Sequence, residues 1–252
     1  MKTLITRADD CASSRAANLA IARAADAGFI KNVSVMAAGR YVDEAAQLLA
    51  KRKDICFGMH MTLNAEWDNV RWGPVSLKAQ VPSLVDKDGY FHQDPAWFTE
   101  NRPAVEEIIA ELNAQLDKLA RAGFTISYVD SHMRPERYVE GLPQELDRWI
   151  AEKGLINHNF FYNRLPQNDD FASVPGLFEQ VLARLGDGQY FFLSHPAVYS
   201  QEMAACGNAK VDGEQLARGR DREADFLASP DTLAICERCG FRPIRYDEAV
   251  PL

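Results

Sequence analysis

The sequence predicts an α/β fold whose strands form a parallel (β/α) barrel. Two observations carry that prediction. Short β-rich runs alternate with helical stretches along the whole chain, an order that gives a mostly parallel sheet with helices outside it. About seven such units fit into 252 residues with no repeat, low-complexity stretch or Gly/Ser linker between them, as expected of a single domain spanning residues 1–252. An open doubly wound sheet is the alternative architecture.

The elements follow in order. Residues 4–8 are apolar and strand-like, and they run into Asp9 and Asp10. Ser13 or Ser14 then caps an Ala-rich helix over 16–27 that Gly28 ends. A strand over 33–37, a helix over 42–53 and a strand over 55–63 come next. The clearest helix covers 106–122. Pro103 precedes it, Ile109, Leu112, Leu116 and Leu119 make one apolar face, and Gly123 stops it. Further strands are expected at 126–129, 190–193 and 241–245, with helices at 142–152, 178–185 and 230–239. Residues 64–102 break the pattern. This long segment carries Trp67, Trp72, Tyr90, Phe91, Trp97 and Phe98, so it reads as a lid, a wall on which a sugar stacks, or a loop packed onto the barrel.

Composition excludes several roles. With 47% hydrophobic and 25% charged residues the chain is neither disordered nor fibrous, and its size supports one sizeable core. A net charge of −8 argues against nucleic acid, which selects a basic stripe. Lys51-Arg52-Lys53 is the only basic run and reads as a solvated helix end. No apolar run approaches the roughly 20 residues needed to cross a bilayer, so no membrane partner is expected. Met1 to Ile5 could open a signal peptide, but Arg7, Asp9 and Asp10 interrupt it, and a cytoplasmic location is the expectation. The five cysteines read as thiols, and Cys236 and Cys239 lack a second pair or a nearby His for zinc.

The chemistry gathers where the strands end. Asp9-Asp10 closes the first strand, His60 lies in the third, Asp130-Ser131-His132 follows 126–129, and His195-Pro196 follows 190–193. In parallel sheets that edge carries the active site. Two imidazoles and one carboxylate make a three-ligand catalytic metal set that leaves room for water or substrate. The spare carboxylate can then serve as general base and a further His as general acid. His92 and His158 lie in loop-like contexts and receive no role.

The same residues carry a family resemblance. Arg7-Ala8-Asp9-Asp10 resembles the N-A-D-D opening of the YdjC-like carbohydrate deacetylases, the family of chitooligosaccharide deacetylase. Gly58-Met59-His60-Met61-Thr62-Leu63 resembles its G-L-H-x-x-L strand, Val129-Asp130-Ser131-His132 its D-S-H segment, and Ser194-His195-Pro196 its late H-P. Residues 222–230, followed by Gly240-Phe241, resemble its last helix and strand.

That resemblance implies an irregular (β/α) barrel. It implies one divalent metal on Asp10, His60 and His132, with Zn²⁺ favoured and Mg²⁺ compatible. It makes Asp9 the general base, although the two aspartates can exchange roles on sequence alone, and His195 the general acid. The implied reaction is removal of an N-acetyl group from an amino sugar or short acetylated saccharide, releasing acetate. A homodimer through exposed helices is one assembly such a barrel allows.

The chain departs from the pattern at Arg7, where Asn is usual, at Cys11, where Phe is common, and after His132, where Met133-Arg134-Pro135-Glu136 replaces further histidines. Arg7 and Arg134 admit a substrate bearing carboxylate or phosphate, unless Arg134 pairs with Glu136 or Asp130 at the rim. Another metal-dependent amide or phosphoester hydrolase, or a non-catalytic saccharide-binding protein, are the alternative functions.

Overall fold

The computed structural model describes residues 1–166 and 171–252. The chain runs β1 (Lys2–Cys11), α1 (Arg15–Asp26), β2 (Asn32–Val35), α2 (Val42–Leu49), β3 (Cys56–Met61), α3 (Trp97–Asn101), α4 (Val105–Ala122), β4 (Ile126–Ser131) and α5 (Leu142–Glu152). It continues through β5 (Ile156–Asn157), β6 (Asn163–Arg164), α6 (Leu177–Arg184), β7 (Gly188–Ser194), α7 (Gln201–Ala204), α8 (Gly213–Ala228), α9 (Pro230–Arg238) and β8 (Phe241–Ile244). All strand pairs are parallel, in the order β5-β4-β3-β2-β1-β7-β6 with β8 also on β1. The sheet curls into a half-barrel ringed by helices, the irregular (β/α) barrel expected. Strands β5 and β6 have two residues each, too short for any sequence period to register.

β1 is the spine of this sheet. One edge pairs with β7 from Lys2 to Ala8. Along the other, β8 covers Lys2 to Ile5 and β2 takes over from Arg7. Asn32 closes the handover: its Nδ2 donates to the carbonyls of Thr6 and Ile244, and its Oδ1 accepts from the Tyr246 N–H. Buried backbone groups that two strand ends would otherwise orphan are thereby satisfied.

Local sequence explains the helices that flank it. The Ser14 side chain accepts from the Ala17 N–H, and α1 buries Ala16, Ala17, Ala20, Ala24 and Ala25, small residues that allow close approach to the sheet, together with Asn18 and Ile21. In α4 the buried stripe is Ile108, Glu111, Leu112, Gln115 and Leu119, a face turned from the one periodicity predicts. Its polar members serve residues 62–76: Glu111 accepts from the Val75 and Ser76 N–H groups, and Gln115 Nε2 donates to the Thr62 carbonyl. Periodicity does not show helix α8, because only Ala217, Ala224 and Leu227 are buried along its 16 residues; the family resemblance over 222–230 reaches only its second half.

Residues 64–102 are packed rather than open. Trp67, Trp72, Val81, Leu84, Phe91 and Phe98 are buried in the main core, and Trp72 Nε1 donates to the Asn64 carbonyl. Packing onto the barrel accounts for most of the aromatics, while Trp67 also lines the central cavity. No helix among the described residues is long and apolar enough to cross a membrane.

Candidate active site

The site begins with an irregularity in β1. Successive strand residues normally face opposite ways, which would part Asp9 from Asp10. The register with β2 shifts between Ala8 and Cys11, and Asp10 takes a left-handed φ of 61°. Such a bulge re-aims a side chain, and here both carboxylates line the same cavity. The neighbouring strands add to it in register. His60 on β3 pairs with Asp130 on β4, and His132 lies two residues further on the same side. Gly58 makes this packing feasible, since a Cβ there would sit 2.1 Å from the Tyr128 ring.

Three acceptor atoms converge. Asp10 Oδ1 lies 3.4 Å from His60 Nε2 and 3.3 Å from His132 Nδ1, and the two nitrogens are 3.3 Å apart. The far side of each ring is held by a carboxylate: His60 Nδ1 is 3.0 Å from Asp130 Oδ2, and His132 Nε2 is 2.9 Å from Glu66 Oε2. A proton on each of those outer nitrogens leaves two lone pairs aimed at Asp10. Asp10 Oδ1 is buried without a hydrogen-bond partner. Its other oxygen lies 3.0 Å from Arg220 of α8. Metal bonds of about 2.0–2.2 Å in tetrahedral array place ligand atoms about 3.3–3.6 Å apart, so the residues present fit a divalent ion.

The charges agree. Burial works against the charged imidazole, yet Asp130 and Asp9 hold His60 well above its ordinary value, and Glu66 and Asp10 push His132 up to about 9. Burial also opposes the Asp10 carboxylate, but Arg220 and the two imidazoles hold it well below the usual range. A site that draws protons onto buried imidazoles is one that favours a cation.

Asp9 belongs to a second cluster. Arg7 grips it with two hydrogen bonds, Nε to Oδ1 at 2.6 Å and NH2 to Oδ2 at 2.8 Å. The same guanidinium reaches Asp130 at 2.8 Å, His158 Nδ1 at 3.2 Å and the Tyr246 hydroxyl at 3.3 Å. Asp9, His60 and Asp130 also converge as a ligand group, but the Arg7 cation already bridges the two aspartates there. Against burial, Arg7 and then His60 lower the Asp9 carboxyl. Burial and then Arg7 push His158 down to about 3, so its ring is neutral. His195 follows β7, anchors its backbone N–H on Glu223 at 2.9 Å, and lines the cavity with Asp9 and the metal-type triad.

All five residues singled out from sequence therefore line one cavity of about 1150 Å³. His92 lies apart from it, stacked on Trp97 at 3.6 Å. Sequence reading missed Glu66, Arg220 and His158, and gave Asp130 and Arg7 no structural task. Arg7 is locked on two carboxylates rather than offered to a substrate. Arg134 does meet Glu136, at 3.4 Å. The cysteines are free thiols.

Known proteins resemble this chain in sequence or in fold. A carbohydrate deacetylase of Thermoanaerobacter pseudethanolicus is 27% identical, with 92% of this chain and 93% of that protein aligned. One from Geobacillus stearothermophilus is 26% identical over 97% and 96%. Among solved structures, a proposed cellobiose-phosphate cleavage protein of Enterococcus faecalis superposes with a TM-score of 0.80 at 19% identity, covering 99% of both chains. The peptidoglycan deacetylase PdaC of Bacillus subtilis shares the fold at a TM-score of 0.51 and 13% identity, over 98% and 89%. The model of the YdjC-like protein family matches residues 3–144, more than half of the chain, and on that match the chain belongs to the YdjC-like family.

Proposed function

We propose that this protein is a divalent-metal-dependent hydrolase that removes an N-acetyl group from an amino sugar or short acetylated saccharide. The observation that carries the reading is the convergence of Asp10, His60 and His132 beside an Arg-held Asp9 in one deep cavity. The relatives named carbohydrate deacetylases support it. Asp10, His60 and His132 would hold the ion, Zn²⁺ by donor type with Mg²⁺ as the second choice. Such an ion supplies Lewis acidity toward the acetyl carbonyl and a lowered pKa for water.

The chain's own groups do the rest. Asp9 accepts the proton of the water that adds to the carbonyl carbon. Arg7 keeps that carboxylate ionised and aimed, so it is in its basic form before substrate arrives. His195 donates a proton to the amide nitrogen as the C–N bond breaks, because an amine leaves poorly unless protonated. The products are acetate and the free amino sugar. Asp130 and Glu66 fix the two imidazoles, and Arg220 fixes Asp10.

Acetate release from a panel of N-acetylated mono- and disaccharides, with metal stripped and Zn²⁺, Mg²⁺, Co²⁺ or Ni²⁺ restored in parallel, tests this. Metal-dependent acetate is expected. A protein that binds the ion and releases no acetate from any member refutes the reading.

A further inference from the structure

Glu66 steadies His132, yet residues 62–67, which carry it, belong to neither helix nor strand. Asp130, which does the same for His60, is fixed by β4. At Glu66 the backbone is held by the loop between α7 and α8. Asn208 Nδ2 donates to the Glu66 carbonyl at 3.1 Å, and the Asp68 N–H donates to the Gly207 carbonyl at 2.9 Å. Two bonds of opposite sense thus pin the chain on either side of Trp67.

The loop that grips is itself locked. Asn208 and Val211 exchange both backbone hydrogen bonds, and Asn208 Oδ1 accepts from the Lys210 and Val211 N–H groups at 2.9 and 3.0 Å. Gly213 closes the loop where no side chain fits, since a Cβ there would lie 2.2 Å from the Ala204 carbonyl oxygen. Helix α8 follows, capped by Asp212, and two turns on it delivers Arg220 to Asp10. Arg220 stands in the field of both Asp10 and Glu66. One continuous piece of chain, residues 206–220, therefore backs two of the three metal-type ligands. Asn208 lines the cavity, but its acceptor and one of its donors are already engaged in this loop.

We propose that Asn208 is a positioning residue for the metal: by fixing the backbone of Glu66 it sets the carboxylate that orients His132, and so governs how tightly the ion is held. The outer partner of a ligating imidazole fixes the tautomer and the ring orientation, so slack in that partner reaches the metal bond. The inference rests on the metal site of the deacetylase reading, but metal affinity alone tests it.

The test strips the full chain of metal and titrates it with Zn²⁺ against a chelating dye. Asn208→Asp keeps the acceptor that builds the turn and removes the donor to Glu66. Its added negative charge by itself favours a cation, so weaker binding reports the lost grip. Affinity should fall about 3- to 10-fold, short of the roughly 10- to 100-fold expected for Glu66→Ala, which deletes the outer partner itself. Asn208→Ser, whose shorter hydroxyl still turns the loop but does not reach Glu66, should weaken binding alike. In the Glu66→Ala background Asn208→Asp should weaken it no further, because the two residues act in series. Acetate release by Asn208→Asp should return to that of the unaltered protein once Zn²⁺ is saturating. Unchanged affinity in both Asn208 variants, or an equal further loss in the Glu66→Ala background, overturns the inference. So does a loss of acetate release that persists at saturating Zn²⁺, which would assign Asn208 to the substrate. The expected affinities in a protein that releases no acetate keep the inference and overturn the deacetylase reading. An unaltered protein that binds no divalent ion refutes the metal site, and the inference falls with it.

Discussion

Asp9 and Asp10 are neighbours with opposite duties, and their partners set the division. Asp10 Oδ1 faces two imidazole nitrogens and has no hydrogen bond of its own, whereas both oxygens of Asp9 are held by Arg7. Asp9→Asn should therefore retain a full equivalent of metal and lose at least about 100-fold in acetate release. Retained turnover in that variant would exchange the two roles. Arg220→Met should act differently. It frees the second oxygen of Asp10 and should weaken metal binding by about 10- to 100-fold, read by competition with a chelating dye, at unchanged secondary structure. At this scale the sequence reveals what repeats a strand-end pattern. Asp10, His60, His132 and His195 stand where parallel strands finish, so they are visible without a structure. Glu66 sits in an irregular segment and Arg220 in the middle of a polar helix, and no local spacing links either to the site.

Elements matter through what they anchor. Helix α4 is read correctly in extent, yet its buried face includes Glu111 and Gln115, which apolar periodicity counts as solvent-facing. Their task is to hold backbone groups of residues 62–76, a tertiary demand invisible in the helix itself. Glu111→Ala should cost about 1.5–3 kcal/mol by denaturant titration, and it should expose residues 72–91 to proteolysis before the barrel opens. Proteolysis beginning elsewhere would show that this segment is held by its aromatics alone. The same anchoring explains why the Trp-rich segment resists reading as a lid: its large side chains are already committed to the core.

For the whole molecule, alternating strands and helices make the barrel legible, while its open, three-partner spine is not, because strand order depends on contacts far apart in sequence. The core behind the site is aromatic: Phe29, Phe178 and Phe226 surround Phe192 with ring centroids 5.2 to 6.5 Å away. Phe192→Ala should lose about 3–5 kcal/mol, a large part of the 5–15 kcal/mol typical of a domain, seen as a lower denaturant midpoint at constant slope. Metal should add to global stability. Zn²⁺ at about 100 times its dissociation constant should contribute about 2.7 kcal/mol, and Asp10→Asn should abolish that increment.

The position of β1 also bears on how the site comes into being. The strand that carries Arg7, Asp9 and Asp10 precedes the other strands of the sheet, yet its partners β7 and β8 are the last two in the chain order. Arg7 meets the Tyr246 hydroxyl across 239 residues of sequence. Loop closure over such a span is slow and must await nearly the whole chain. β2 can pair with the aspartate end of β1 early, but the other edge of β1 stays open until β7 is made. The order of synthesis thus divides the site: Asp10, His60 and His132 lie on or just after the first four strands, whereas His195, Arg220 and the Tyr246 hydroxyl that meets Arg7 come with the last third of the chain.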